Sequence, residues 1–200
     1  METILNNTEI EKKNGNNLRM KVAFLDRDGV INEDIGYLCE WKYFEYKESV
    51  ITALQQLIAA NYQLIVVTNQ SGIARGYYTE EDFIFLNTKM KLNLKKLGIP
   101  LLDVFYCPHY LGGAVKQYSI DCDCRKPKPG LFLTAFERYN IDLNKAVMFG
   151  DRVSDMQAAS AAGIRHKFLV GDATKLEVSE IGFVNLLEAV DYFLQLCDRN

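Results

Sequence analysis

The stretch Val22-Ala23-Phe24-Leu25-Asp26-Arg27-Asp28-Gly29 passes from four apolar residues to two carboxylates and a glycine in a single step. An apolar run this short, ended by polar residues and glycine, reads as a buried strand leading into a tight turn. The same change recurs downstream. Leu64–Val67 runs into Thr68-Asn69-Gln70-Ser71-Gly72, Val104–Tyr106 into the segment from Cys107 to Lys128, and Ala146–Phe149 into Gly150-Asp151-Arg152. Lys167–Val170 is a fifth candidate strand. Apolar spacing between the strands predicts helices at about 49–60, 79–97, 130–139, 154–162 and 184–197. In the first of these, Val50, Leu54, Leu57 and Ile58 fall on one stripe. Thr79 with Glu81 and Asp82 marks the start of the second, and Gly98-Ile99-Pro100 its stop. Strand and helix in alternation predict an α/β fold, a Rossmann-like parallel sheet with helices on both faces. Ligands of such sheets gather beyond the carboxyl ends of the strands, so the polar segments would share one rim.

Composition narrows the partners. The chain has 200 residues, 48% hydrophobic and 24% charged, the balance of a globular protein. That length suits one domain, expected over 21–200 behind a flexible tail over 1–20. The tail holds Asn6, Asn7, Asn14, Asn16 and Asn17 and lacks the apolar centre of a secretory signal. Lys and Arg total 23 against 26 Asp and Glu, a formal charge of −3. That charge argues against a nucleic acid or an anionic lipid as partner. No apolar run approaches the roughly 20 residues of a membrane span, and none is expected. Five cysteines, an odd number with three clustered, do not suit a secreted disulfide framework. A cytoplasmic protein is expected.

Chemistry enters at the strand ends. Asp26 and Asp28 lie two apart in an extended segment, so both carboxylates can face one ligand. Their mutual repulsion calls for a cation, and oxygen donors suit magnesium. A lone Asp-x-Asp is commonly only an acidic turn. Thr68, Lys126 and Asp151 likewise admit plain roles as turn residue, solvated charge and helix cap. Their joint arrival at strand exits is what points to a site. Thr68 and Asn69 bring a hydroxyl and an amide to a phosphate, Arg125 a planar fork and Lys126 a point charge. Asp151 adds a carboxylate, with Asp155 four residues on. A second constellation is Cys107-x-His109, twelve intervening residues, then Cys122-x-Cys124. Four such ligands satisfy a closed tetrahedral zinc site that pins the loop 107–124 and holds Arg125 and Lys126 in place. Cys39 and Cys197 lack comparable partners and are expected as packing residues. No Gly-x4-Gly-Lys string is present, which argues against a P-loop nucleotide enzyme.

Asp26-x-Asp28-Gly29, Thr68-Asn69, Lys126 and Gly150-Asp151-x3-Asp155 resemble the four signature motifs of the haloacid dehalogenase-like phosphatases, over about 21–170. The longer strings Phe24-Leu25-Asp26-Arg27-Asp28-Gly29-Val30-Ile31-Asn32, Thr68 through Gly76 and Cys122-Asp123-Cys124-Arg125-Lys126-Pro127 resemble the histidinol-phosphatase and heptose-bisphosphatase branch. Within it they are most similar to the D-glycero-D-manno-heptose 1,7-bisphosphate 7-phosphatases. The resemblance implies a capless fold with a zinc-stapled loop. It implies that Asp26 is the nucleophile, that Asp28 is general acid and then base, and that Thr68 and Lys126 offset charge. Magnesium would be held by Asp26, the backbone carbonyl of Asp28 and Asp151, with Asp155 in support. Zinc would be held by Cys107, His109, Cys122 and Cys124. Asp34, Ile35, Gly36 and Tyr37 would line the sugar pocket. Asn69, Gln70 and Ser71 would meet the transferred phosphate, and Arg125 and Arg152 the second phosphate or the sugar.

The implied reaction is hydrolysis of the 7-phosphate of a heptose 1,7-bisphosphate through an aspartyl phosphate, supplying activated heptose for envelope polysaccharide. The partner is a small phosphorylated sugar, and a monomer is expected. Histidinol phosphate as substrate, or phosphoryl transfer to a second sugar, are the alternatives. The Ser71–Gly76 continuation and the long zinc loop favour the heptose reading. Two departures stand out. Glu48-Ser49 replaces a common Pro-Gly, with Ser49 expected to act as a helix N-cap. Arg152 stands where Lys is frequent and exchanges a point charge for a fork.

Overall fold

The computed structural model describes residues 19–171 and 182–199. Its strands are β1 (Val22–Leu25), β2 (Gln63–Asn69), β3 (Leu101–Cys107), β4 (Val147–Gly150), β5 (His166–Val170) and β6 (Gly182–Phe183). The helices are α1 (Val50–Ala59), α2 (Ser71–Arg75), α3 (Glu80–Lys96), α4 (Gly130–Arg138), α5 (Val153–Ala161) and α6 (Leu186–Asp198). The strands form one parallel sheet in the order β3-β2-β1-β4-β5-β6. The chain thus winds outward from β1 to β3 and then returns to the middle to wind the other way. The crevice where the winding reverses, between β1 and β4, is where this architecture places a ligand.

Strand β1 shows why the sheet needs helices on both faces. All four of its residues are buried, and they alternate between two cores. Ala23 and Leu25 pack with Leu54 and Leu57 of α1, Met90 and Leu94 of α3, and Val190 and Phe193 of α6. Val22 and Phe24 pack with Leu131 and Phe132 of α4 and Met156 and Ala158 of α5. The stripe read on α1 is present, with Val50, Leu54 and Leu57 buried and Ile58 packed at the edge of the same core. Helix α3 begins with a reciprocal cap: Asp82 N–H donates to Thr79 Oγ1, and Thr79 N–H donates to the Asp82 carboxylate.

Several expectations need correction. Helix α2 and strand β6 were not anticipated, and both are too short, five and two residues, to show a period. Ser49 occupies the N-cap position of α1, but its side chain accepts no capping hydrogen bond and its φ is +63°. A left-handed backbone takes the hydroxyl away from the extended geometry a capping serine needs. Cys197 is exposed rather than packed, with its Sγ 3.8 Å from the Tyr62 hydroxyl. Cys39 does pack, against the small cluster of Ile73, Tyr78 and Phe83. Residues 1–18 of the expected tail lie outside the described residues, and Met20 is already bound to the Asn140–Asp142 segment by backbone hydrogen bonds. Among the described residues no helix is long and apolar enough to cross a membrane.

Candidate active site and metal-binding loop

Asp26 is the first residue past β1, and its N–H is held by the carbonyl of Phe149 on β4 at 3.0 Å. Its Oδ1 accepts from the Arg27 N–H at 2.8 Å and lies 3.0 Å from Lys126 Nζ. Lys126 is buried. Its ammonium donates to the carbonyl of Val67 at 2.8 Å and pairs with Asp155 Oδ1 at 2.6 Å. Burial opposes the Lys126 charge, but Asp155 and Asp26 outweigh it and raise its pKa. On the acid side the balance reverses. Burial, with Asp155 and Asp151 adding and Lys126 opposing, pushes Asp26 up to about 7. Burial and then Asp155 push Asp151 up to about 6. One ammonium does not neutralise this group.

One carboxylate oxygen from each of Asp26, Asp151 and Asp155 lies within 4.8 Å of the other two. Asp151 Oδ1 is buried with no hydrogen-bond partner. An unpartnered buried carboxylate oxygen among hard oxygen donors fits a magnesium ion, which takes one or two carboxylates and keeps several waters. Gly29 is required for this approach. Its φ is +87°, and a Cβ there would stand 2.4 Å from Asp151 Oδ2.

Asp28 lines the same cleft as Asp26, yet its carboxylate is not in the metal-suited group. Arg27 grips it from Nε and Nη2 at 2.8–3.1 Å, and Asn32 and Gln70 donate to it at 3.0 and 2.9 Å. Burial would raise its pKa, but the Arg27 charge and these hydrogen bonds together hold it below the usual carboxylate range. Asp155, expected only in support, takes the place among the carboxylates that spacing alone suggested for Asp28. The Asp28 side chain is turned aside because Arg27, buried between the two aspartates, needs a counter-charge.

The cleft, about 580 Å³, brings together Asp26, Asp28, Asp34, Gly36, Tyr37, Thr68, Asn69, Gln70, Ser71, Arg125, Lys126 and Arg152 from the expected set. Ile35 does not line it and is exposed. Asp151 opens instead on the adjoining hollow, beside Gly29, Asp34 and Arg152. Asn69 is committed to the backbone of Lys126, donating to its carbonyl at 3.0 Å and accepting from its N–H at 3.1 Å. Arg152 is paired across the rim with Asp34 at 2.9 Å. Sequence reasoning missed Arg27 and Asn32, which support the cleft from behind, and Tyr78, which lines it. Their signal was slight: an arginine between two aspartates, and single residues of common type.

Cys107 ends β3, and His109, Cys122 and Cys124 close on it. Sγ–Sγ distances are 3.5 Å for Cys107–Cys122 and 3.3 Å for Cys122–Cys124. His109 Nδ1 lies 3.7 Å from Cys107 Sγ and 3.3 Å from Cys124 Sγ. A tetrahedral zinc with bonds of about 2.3 Å to sulfur and about 2.05 Å to nitrogen sets its ligands roughly 3.5–3.8 Å apart. The quartet fits that ion, with no position left open. The loop sits so close to the start of α4 that a Cβ on Gly130 would meet the Asp123 carbonyl at 2.4 Å. It also reaches the cleft. Arg125 Nη1 donates to the His109 carbonyl at 3.3 Å, and its guanidinium lies over the Tyr110 ring at 5.4 Å.

A doubly wound parallel sheet with this acidic cluster at its reversal point defines a class, and comparison agrees. Residues 10–163 match the haloacid dehalogenase-like hydrolases, and the chain belongs to that family. Within it, the chain is 45% identical over 152 residues to the D-glycero-alpha-D-manno-heptose-1,7-bisphosphate 7-phosphatase of Photorhabdus laumondii subsp. laumondii, covering 76% of this chain and 83% of that one. It is 49% identical over 150 residues to the D-glycero-beta-D-manno-heptose-1,7-bisphosphate 7-phosphatase of Pasteurella multocida, covering 75% and 81%. The crystal structure of D,D-heptose 1,7-bisphosphate phosphatase from B. bronchiseptica, complexed with magnesium and phosphate, superposes with a TM-score of 0.76 at 30% identity, covering 88% of this chain and 99% of that one.

Proposed function

We propose that this protein is a magnesium-dependent phosphatase that removes the 7-phosphate of D-glycero-D-manno-heptose 1,7-bisphosphate. One observation carries the reading: Asp26, Lys126, Asp151 and Asp155 gather at the reversal point of the sheet, below a cleft whose rim carries Arg125 and Arg152. The lower group suits a phosphate that reacts, the upper pair a phosphate that is only held. The similarity to heptose bisphosphatases supports the substrate.

Magnesium, when bound by Asp26, Asp151 and the Asp28 carbonyl, would supply positive charge that keeps Asp26 ionised and draws the phosphate to it. Asp26 then attacks phosphorus in line, forming an O–P bond as the P–O bond to the sugar breaks. Asp28 gives its proton to the departing alkoxide. In the free protein Asp28 is held ionised, and the arriving phosphate, a like charge, favours its protonated form. Water then attacks the aspartyl phosphate, Asp28 takes a proton from it, and inorganic phosphate leaves. Thr68 and Lys126 face the charge that builds on the phosphoryl oxygens. The zinc loop fixes Arg125 and Lys126, and residues 21–200 act as one catalytic domain. The clustered thiols suit a reducing compartment, the cytosol.

The test is phosphate release from both anomers of the bisphosphate and from histidinol phosphate, compared as kcat/KM. The bisphosphate should be preferred by at least about tenfold, the loss expected when a charged rim contact has no partner. Preference for histidinol phosphate, or release of a new phosphoester in place of free phosphate, overturns the assignment.

A further inference from the structure

Gln70 stands between the end of β2 and the start of α2, where a contact with the transferred phosphate was expected. It is only 2% exposed, and its hydrogen bonds are already taken. The backbone N–H donates to the Cys107 carbonyl at 2.8 Å. The side-chain Nε2 donates to Asp28 Oδ2 and to Thr68 Oγ1, each at 2.9 Å. Oε1 accepts from the Tyr78 hydroxyl at 2.6 Å and from Arg27 Nη2 at 3.4 Å. A primary amide has two donors and two acceptor sites. All four are in use, so nothing on this side chain remains for a phosphate oxygen.

We infer that Gln70 is a positioning residue: it locks the Asp28 carboxylate and the Thr68 hydroxyl to each other and does not hold substrate. The amide has one satisfactory orientation. Turning it over would set its oxygen against the Asp28 carboxylate and its NH2 against the Arg27 guanidinium, so Asp28 and Arg27 fix which way it faces, and the Tyr78 hydroxyl completes the set. Gly72 secures Tyr78 in turn, because a Cβ there would lie 2.2 Å from the Tyr78 ring. The proton on Asp28 must travel along a fixed line to the leaving oxygen, and small misplacements of such groups are costly. The inference rests on the roles proposed above for Asp26 and Asp28.

The experiment uses two esters whose leaving groups differ in their need for a proton. A sugar alkoxide must be protonated as it departs, whereas p-nitrophenolate leaves unaided. For each, kcat/KM reports the steps through cleavage of the P–O bond. In Gln70→Met, kcat/KM for the sugar phosphate should fall about 10- to 100-fold, while that for p-nitrophenyl phosphate, which feels only the loosened Thr68 hydroxyl, should fall by no more than about threefold. Gln70→Glu keeps the side-chain shape but cannot donate from both positions. It should show the same split, and it serves if Gln70→Met unfolds. Equal losses on both esters, the result for a phosphate ligand, overturn the inference, as does no loss on either. Asp28→Asn separates this from the underlying reading. It too should spare the aryl ester, and an equal loss there removes the acid role of Asp28 rather than the placement of Gln70.

Discussion

The two metal-suited clusters lie at the same end of one sheet, yet they handle charge in opposite ways. The carboxylates of Asp26 and Asp155 pair with a buried cation of the protein's own, Lys126, and open on the cleft, with Asp151 beside them on the adjoining hollow. The thiols of Cys107, Cys122 and Cys124 with His109 close on themselves. The nearby Arg125 turns to the His109 carbonyl rather than to sulfur. The first group has too much negative charge for one ammonium, so a hard ion there would stay exchangeable and face the cleft. The second has soft ligands in a closed set, so an ion there would be a cross-link. An excess of charge left facing a cleft is what distinguishes a reacting site from a staple.

Asp26→Asn breaks the first cluster most severely. Turnover should fall on the order of 10⁴-fold or more, the scale seen when a nucleophile is removed, with the circular dichroism spectrum unchanged. The same variant reads out the charge balance. The native pKa values of Asp26, about 7, and Asp151, about 6, both lie above the ordinary carboxyl value of 3.8. The folded ion-free protein therefore retains protons that the unfolded chain has released. Its stability falls as pH rises from about 4 toward 7. Melting curves of chelated protein should show that fall, Asp26→Asn should lessen it, and magnesium should raise Tm more at pH 8 than at pH 5. A wild-type Tm that climbs over this range would contradict the excess of buried negative charge.

Removing the second ion should act on stability first. A zinc-selective chelator, or Cys124→Ala, should lower Tm by roughly 5–15 °C, corresponding to about 3 kcal/mol at this chain length. Activity should decline with it, because Arg125 and Lys126 follow directly on Cys124. Magnesium removal should by contrast abolish activity at once and reversibly, with a smaller change in Tm. If stripping zinc leaves Tm untouched, the loop is held by packing alone.

How far each cluster could be read in advance follows from how its members meet. The zinc quartet lies within eighteen residues, and two Cys/His pairs on either side of a short loop carry most of their geometry in the spacing. The acidic group spans Asp26 to Asp155 and is joined only by the sheet. The strand exits of β1, β2 and β4 were legible as polar residues after apolar runs. Which of the Asp28 and Asp155 carboxylates would join the acidic group was not. That choice depends on Arg27, whose burial draws Asp28 aside, and burial of an arginine between two aspartates has no periodic signature. Ser49 shows the same limit. Its residue type favours a cap, but its φ is left-handed, two residues after the Lys47 N–H is held by the Ile31 carbonyl.

The smallest expected effect tests whether the two clusters are joined at all. Tyr110, next to the ligand His109, has the Arg75 guanidinium over its ring at 3.8 Å and that of Arg125 at 5.4 Å. If the staple acts on the cleft through this ring, Tyr110→Ala frees Arg125 while leaving every metal ligand in place. Cation–π contacts at partly exposed sites are worth about 0.5–1 kcal/mol, so KM for the bisphosphate should rise roughly two- to fivefold. The turnover number and Tm should barely move, since Tyr110 touches neither the reacting group nor the core. A sugar monophosphate, with nothing for Arg125 to hold, should show no change in KM. Equal rises for both substrates would mean that Tyr110 shapes the cleft generally, and that the loop's only service to the active site is the covalent continuity from Cys124 to Lys126.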